Sequence, residues 1–130
     1  MKINQTLYVA SRKAWRNWLS KHHKSKKGVW LVFRKKPSSK STIDYNESVE
    51  EAICYGWIDG QIKRIDEEKY ARRFTPRRQC SNWSESNKRR ALSMLREGKM
   101  TQAGRAVLPL EILVTSGNSV GANGSEQRRS

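Results

Sequence analysis

Few side chains in this sequence have both the type and the spacing that chemistry requires. The two histidines, His22 and His23, close a lysine-rich stretch, and no serine, cysteine or carboxylate is patterned to hold either beside a nucleophile. At the end of a charged helix both are expected to be exposed, and no catalysis is expected of them. Cys54 and Cys80 lack the CxxC or HxxxH neighbours of a metal site, so each reads as a structural thiol and no metal is expected. Nothing in the spacing supports a disulfide between them. Gly56 and Gly60 flank Trp57-Ile58-Asp59 without the GxGxxG or GKS pattern of a phosphate loop. Asp59 is the most suggestive acid; its simpler reading is a strand-end carboxylate that pairs with a nearby arginine. The chain is therefore read as non-enzymatic, with no cofactor.

The stronger signal is cationic. Formal net charge is +15 over 130 residues, and it is unevenly spread. Residues 1–40 hold twelve bases and no acid, residues 41–60 hold Asp44, Glu47, Glu50, Glu51 and Asp59 with no base, and residues 61–106 hold thirteen bases against five acids. A field of that size attracts polyanions, although surplus lysine also serves solubility. The second basic block is the candidate site. Arg72, Arg73, Arg77 and Arg78 precede Trp83, and Lys88, Arg89 and Arg90 follow it. Guanidinium forks match phosphate or carboxylate, an indole can stack on a base, and a helix starting near Ser84 adds backbone donors. The competing reading makes Trp83 core and pairs the arginines with Glu50, Glu51 and Asp59.

These residues are positioned by a simple succession of elements. SRKAWRNWLSKH (residues 11–22) is an amphipathic helix with Ser11 as N-cap and Ala14, Trp15, Trp18 and Leu19 on one stripe. A basic turn through Lys27 ends at Gly28. VWLVF then predicts a central strand covered on both faces, about 28–36, stopped by Pro37 and followed by a Ser/Lys loop at Ser38–Ser41. A helix at 46–55 is capped by Asn46, carries Glu47, Glu50 and Glu51 early, turns Val49, Ala52 and Ile53 inward, and stops at Gly56. Residues 57–65 and 69–76 form a hairpin around Asp66-Glu67-Glu68, pairing Arg64 with Tyr70, Ile62 with Arg72 and Gly60 with Phe74. That register puts Ile58, Ile62, Tyr70 and Phe74 on one face. Ser84 caps a helix at 85–97 with Ala91, Leu92 and Leu95 inward and Gly98 at its end. Thr101 opens a fourth helix that Pro109 interrupts. The expected fold class is α+β, a small antiparallel-type sheet packed with three to four helices. A single domain covers 1–110, with an irregular tail over 111–130. No secretory signal and no stretch of about 18 apolar residues is present, so a cytoplasmic protein is expected.

Several phrases resemble one family. Val49-Glu50-Glu51-Ala52-Ile53-Cys54-Tyr55-Gly56-Trp57-Ile58-Asp59-Gly60-Gln61 is similar to the signature of the YdeI/OmpD-associated, or bacteriocin-protection, proteins. Arg73-Phe74-Thr75-Pro76-Arg77-Arg78, then Ser81-Asn82-Trp83-Ser84 and Asn87, resembles a second block of that family, and Gly28-Val29-Trp30-Leu31-Val32 and Gly98-Lys99-Met100-Thr101 follow its order. The resemblance spans about residues 8–106. It implies a role in resistance to bacteriocins or cationic antimicrobial peptides. Through a loose grouping with YjbR/CyaY-like proteins, it also implies a small α+β fold with a basic binding surface. Its motif residues here are Gly56, Trp57, Asp59, Gly60, Gln61, Phe74, Pro76, Trp83 and Asn87. After about Ala106 the sequence departs from the family, which continues through a Trp- and Pro-containing linker to a basic helical end; a truncated or frame-shifted gene is the expectation.

Two functions are thus carried forward. One is a non-enzymatic defence protein that contacts an anionic protein or envelope component. The other is a nucleic-acid-binding module that uses the Arg72–Arg90 surface.

Overall fold

Alternation of short strands and capped helices gives β1 (Thr6–Leu7), α1 (Arg12–His22), β2 (Val29–Arg34), α2 (Tyr45–Cys54), β3 (Trp57–Arg64), β4 (Lys69–Pro76), α3 (Glu85–Arg96), α4 (Gln102–Arg105) and α5 (Leu110–Asn118). The computed structural model describes residues 6–35, 43–78 and 82–118. Pro37, the loop at Ser38–Ser41, Cys80, Ser81 and the tail beyond residue 118 lie outside the described residues. The strands make one sheet in the order β1-β2-β4-β3. β2 and β4 are antiparallel, as are β3 and β4, but β1 joins β2 in parallel. The expected α+β class holds, with a mixed rather than purely antiparallel sheet. β1 was not anticipated, because two residues carry no periodicity.

β2 is central, and Val29, Trp30, Leu31, Val32 and Phe33 are all buried, as its unbroken apolar run predicts. Val29, Leu31 and Phe33 join the main core with Trp15, Leu19, Ala52 and Phe74. Trp30 and Val32 alternate to the other face, opposite Arg73 and Ala71 of β4. α1 begins where predicted: the Ser11 hydroxyl accepts the Ala14 N–H at 3.2 Å, and Trp15 and Leu19 are fully buried. Trp15 stacks on Trp18 at 5.5 Å between centroids and meets Phe74 edge-on at 5.2 Å. The indole N–H of Trp15 donates to the Ser48 carbonyl at 2.9 Å.

α2 is capped by Asp44 rather than Asn46: the Asp44 carboxylate accepts the Glu47 N–H at 3.2 Å. Either residue suits a cap, and Asp44 places Ser48, Glu51, Ala52 and Ile53 in the interior. Asn46, now inside the helix, holds Arg90 instead. In the hairpin, Arg64–Tyr70 and Ile62–Arg72 pair as predicted, but Phe74 lies opposite Asp59 and not Gly60. The register shifts between Asp59 and Ile62, a bulge at Gly60-Gln61. The extra residue puts Trp57 on the core face with Phe74 and turns Ile58, opposite Thr75, to the other, so the expected stripe of Ile58, Ile62, Tyr70 and Phe74 is broken; Ile62 keeps its partner but is 55% exposed.

α3 has the predicted Ser84 cap and ends at Gly98, whose φ is 73°. Its fully buried residues are Ala91 and Met94, while Leu92 and Leu95 are partly covered. Thr101 opens α4 as expected. Pro109 does not end the structure: its carbonyl accepts from Ile112 and Leu113, and α5 follows with Ile112 in the core. Proline is tolerated at a helix start, and α5 gives helical structure to residues 111–118 of the stretch expected to be irregular. Where α2 ends, Gly56 has φ 75°, and a Cβ there would lie 2.8 Å from the Ala103 carbonyl oxygen. Gly56→Ala is therefore expected to lower stability by about 2–4 kcal/mol, combining left-handed strain and overpacking. A urea midpoint matching wild type would contradict that contact.

Candidate anion-binding surface

Where the carboxylates go decides which cations remain. Glu51, 2% exposed, receives Arg12 Nη2 at 2.6 Å and Arg16 Nη1 at 2.7 Å. Arg12 also reaches Glu50 at 3.0 Å, and Arg16 Nη2 donates to the Lys99 carbonyl at 2.8 Å. Burial disfavours charge on both guanidiniums, but hydrogen bonds and charge from Glu51 outweigh it and hold both above their ordinary values. The acidic helix is thus neutralised by the first basic block, across the α1–α2 contact. The expected partners for Glu50 and Glu51, the arginines of residues 72–90, are not the ones found.

Asp59 takes the simpler of its two readings. Its Oδ2 accepts the Tyr45 hydroxyl at 2.9 Å and faces Arg72 Nη1 at 3.3 Å. The Tyr45 ring lies under the guanidinium of Arg72, 4.5 Å from centroid to Cζ, with that of Arg90 at 6.0 Å. Burial raises the Tyr45 phenol, and the Asp59 hydrogen bond and charge raise it further. Arg90 is held by Asn46 Oδ1 and Asn87 Oδ1, both at 2.8 Å. Arg77 is buried, with Cζ 3.9 Å over the half-buried Trp83 ring and Nη1 donating to the Asn82 carbonyl at 3.0 Å. Burial lowers the Arg77 guanidinium below its ordinary value, against the pull of Asp59. Lys88 sits between Glu85 at 3.2 Å and Glu111 at 2.8 Å.

The candidate residues therefore divide. Arg72 and Arg90 join Asp59, Tyr45, Asn46 and Asn87 in a network that ties the sheet to the first turns of α2 and α3, Arg77 packs separately on Trp83, and Lys88 is held by acids. Arg73, Arg78 and Arg89 have no carboxylate within 4.0 Å among the described residues. Arg89 is exposed at a shallow cleft of about 350 Å³ between α2 and α3 that Glu50 also lines. Arg73 points to the opposite face of the sheet, with Cζ 5.7 Å from the Trp30 centroid, and Arg78 is exposed just past β4.

Three further cations, from the first basic block, share the end of the sheet with Arg73 and Arg78. Val29 pairs with Phe74 and Trp30 with Arg73, so the turn preceding β2 lies where β4 finishes. Lys24, Lys26 and Lys27 are exposed on that turn, and no carboxylate is within ion-pair distance of them among the described residues. Their basic run before VWLVF was visible; its juxtaposition with Arg73 needed the β2–β4 pairing. The histidines beside this turn are half-buried rather than exposed. His22 lies 4.9 Å from the Trp18 ring and His23 lies 5.0 Å from Tyr55, with Nδ1 2.8 Å from the Leu19 carbonyl oxygen.

Cys54 is fully buried, and burial pushes its thiol up to about 11, which leaves it poorly nucleophilic. The motif residues mostly build the fold. Gly56 makes a left-handed turn, Trp57 and Phe74 fill the core, Pro76 ends β4, Gly60 and Gln61 form the bulge, and Asn87 anchors Arg90. Among the described residues no helix is long and apolar enough to cross a membrane.

No curated protein and no solved structure matches the chain. Residues 7–107 match the model of a family described as a domain of unknown function, DUF8412. That span runs from the end of β1 through α4 and contains the whole sheet end just described, and the chain belongs to this family.

Proposed function

We propose that this protein binds an anionic macromolecule at the end of the sheet where β2 begins and β4 finishes. The reading is carried by the segregation of its charges. Glu47, Glu50 and Glu51 are taken up by Arg12 and Arg16, and Asp59 by Arg72 and Tyr45, while Lys24, Lys26, Lys27, Arg73 and Arg78 face solvent or lie at the surface with no carboxylate in ion-pair distance among the described residues. Cations left unneutralised on one rim concentrate the field there and steer polyanions to it. Fluorescence anisotropy of labelled duplex DNA against salt tests the proposal. Log K falls linearly with log salt, with a slope of roughly −3 to −4 if about four phosphates are neutralised. Reversing Lys24, Lys26, Lys27 and Arg78 to glutamate together abolishes binding, whereas Arg89→Glu, on another face, changes it little. Absence of binding at low salt, or equal loss with Arg89→Glu, rejects this surface.

The resistance role is favoured by the Val49–Gln61 and Arg73–Asn87 phrases. A surface this cationic repels a cationic peptide, so protection would act by occupying the anionic target and not by capturing the peptide. Cells lacking the gene become more sensitive to a cationic peptide on this reading; unchanged sensitivity counts against it.

A further inference from the structure

Arg73 differs in kind from the lysines around it. Each lysine carries its ammonium on a flexible stem, whereas the Arg73 guanidinium is laid across the backbone of Gly28. A Cβ placed on Gly28 would sit 2.6 Å from Arg73 Nη2, 3.0 Å from its Cζ and 3.1 Å from Thr75 Cγ2. The missing side chain is therefore the space the fork occupies. The nearly buried Trp30 ring flanks the same guanidinium, 5.7 Å from centroid to Cζ. No carboxylate lies within ion-pair distance among the described residues, unlike Arg12, Arg16 and Arg72, which are held by acids. A fork packed between the Gly28 backbone and the Trp30 ring, without an internal counterion, has less rotamer freedom to lose on binding than an open lysine stem.

The surroundings indicate the ligand. Among the described residues the exposed large apolar side chains are Tyr8, Ile62, Ile65, Leu110 and Val114, which lie after β1, on the hairpin and on α5. A protein partner typically needs a buried apolar or aromatic anchor, and none of these exposed apolar side chains belongs to the Lys24–Gly28 turn or the end of β4. A phosphodiester backbone needs only charge and donor geometry. Resting on the polyanion reading above, we infer that Gly28 and Arg73 form a preorganised receptor for one backbone phosphate of a nucleic acid, gripped by the guanidinium fork. Lys26 and Lys27, immediately before Gly28, contact neighbouring phosphates. Recognition is of the backbone and is independent of base sequence.

Anisotropy titrations of wild type, Gly28→Ala, Arg73→Lys and Arg73→Ala test it, using labelled poly(dT), a labelled duplex and polyglutamate as competitor. Gly28→Ala keeps every charge but fills the cradle, and Arg73→Lys keeps the charge but removes the fork. Each is expected to weaken binding by about tenfold at fixed salt, with the salt slope nearly unchanged. Arg73→Ala weakens binding further and makes the slope shallower by roughly 0.7–0.9. Poly(dT) and duplex bound with matching losses place the shared phosphodiester as the ligand; a loss confined to one of them overturns backbone-only recognition. Wild-type affinity in both Gly28→Ala and Arg73→Lys overturns the cradle while leaving the polyanion surface standing, and an unfolded Gly28→Ala leaves the decision to Arg73→Lys. Polyglutamate competing as well as poly(dT) overturns the choice of phosphate. No binding by wild type to any of the probes removes the underlying reading itself.

Discussion

Glu51→Gln is expected to lower unfolding free energy by about 3–5 kcal/mol and Tm by about 10 °C or more. The carboxylate is 2% exposed and closes two ion pairs at once, with Arg12 and Arg16 at 2.6 and 2.7 Å. Glutamine keeps the volume but withdraws the charge that holds both guanidiniums against α2. Those arginines keep about 30% of their side-chain surface, so they can swing partly into water, and the loss falls toward the lower end of the range. Glu50→Gln is the control: its carboxylate pairs with Arg12 at 3.0 Å and, among the described residues, with no second cation, and about 1 kcal/mol or less is expected. Urea unfolding of the two variants checks the contrast. A Glu51→Gln protein within 1 kcal/mol of wild type would mean that the pairs contribute nothing beyond their own desolvation.

The second large effect lies on α1. Trp15→Ala is expected to cost about 3–5 kcal/mol, because a fully buried indole in contact with Trp18 and Phe74 leaves a cavity that a sheet and two helices cannot close. Trp15→Phe separates packing from polarity. It keeps most of the ring but removes the N–H that meets the Ser48 carbonyl at 2.9 Å, at a cost of about 1–3 kcal/mol. Trp18→Ala falls below Trp15→Ala, since Trp18 is only partly buried. Equal losses for Trp15→Ala and Trp18→Ala in urea unfolding would show that the core is centred elsewhere.

What could be read in the sequence was local. Ser11, Ser84, Gly56 and Gly98 mark helix ends through chemistry confined to one turn, and each does so in the structure. VWLVF announced a central strand by composition alone. The misses share the opposite character. β1 exists because Thr6 and Leu7 align with Trp30 and Leu31, about 24 residues on. The bulge at Gly60-Gln61 is fixed by Trp57 reaching the core, which no local pattern specifies. Pro109 both stops and starts helices, and only the contact of Ile112 with the second core cluster decides. The candidate site suffered the same way. Arg72 through Arg90 is one run in the sequence, yet alternation along β4 sends Arg72 to the helix side and Arg73 to the other. Of three glutamates in α2, nothing in their spacing says that Glu51 is the one enclosed. The counterpart of Arg73 came from the other basic block, through strand pairing.

The close of α2 bears on the order in which the molecule can be completed. The Cys54 carbonyl accepts both the backbone N–H and the hydroxyl of Thr101, and a Cβ on Gly104 would collide with the same carbonyl. During synthesis from the N-terminus, that peptide group must stay hydrated until some fifty more residues have left the ribosome. The nascent sheet can pair earlier, but the last carbonyl of its covering helix is capped only when Thr101 and α4 arrive.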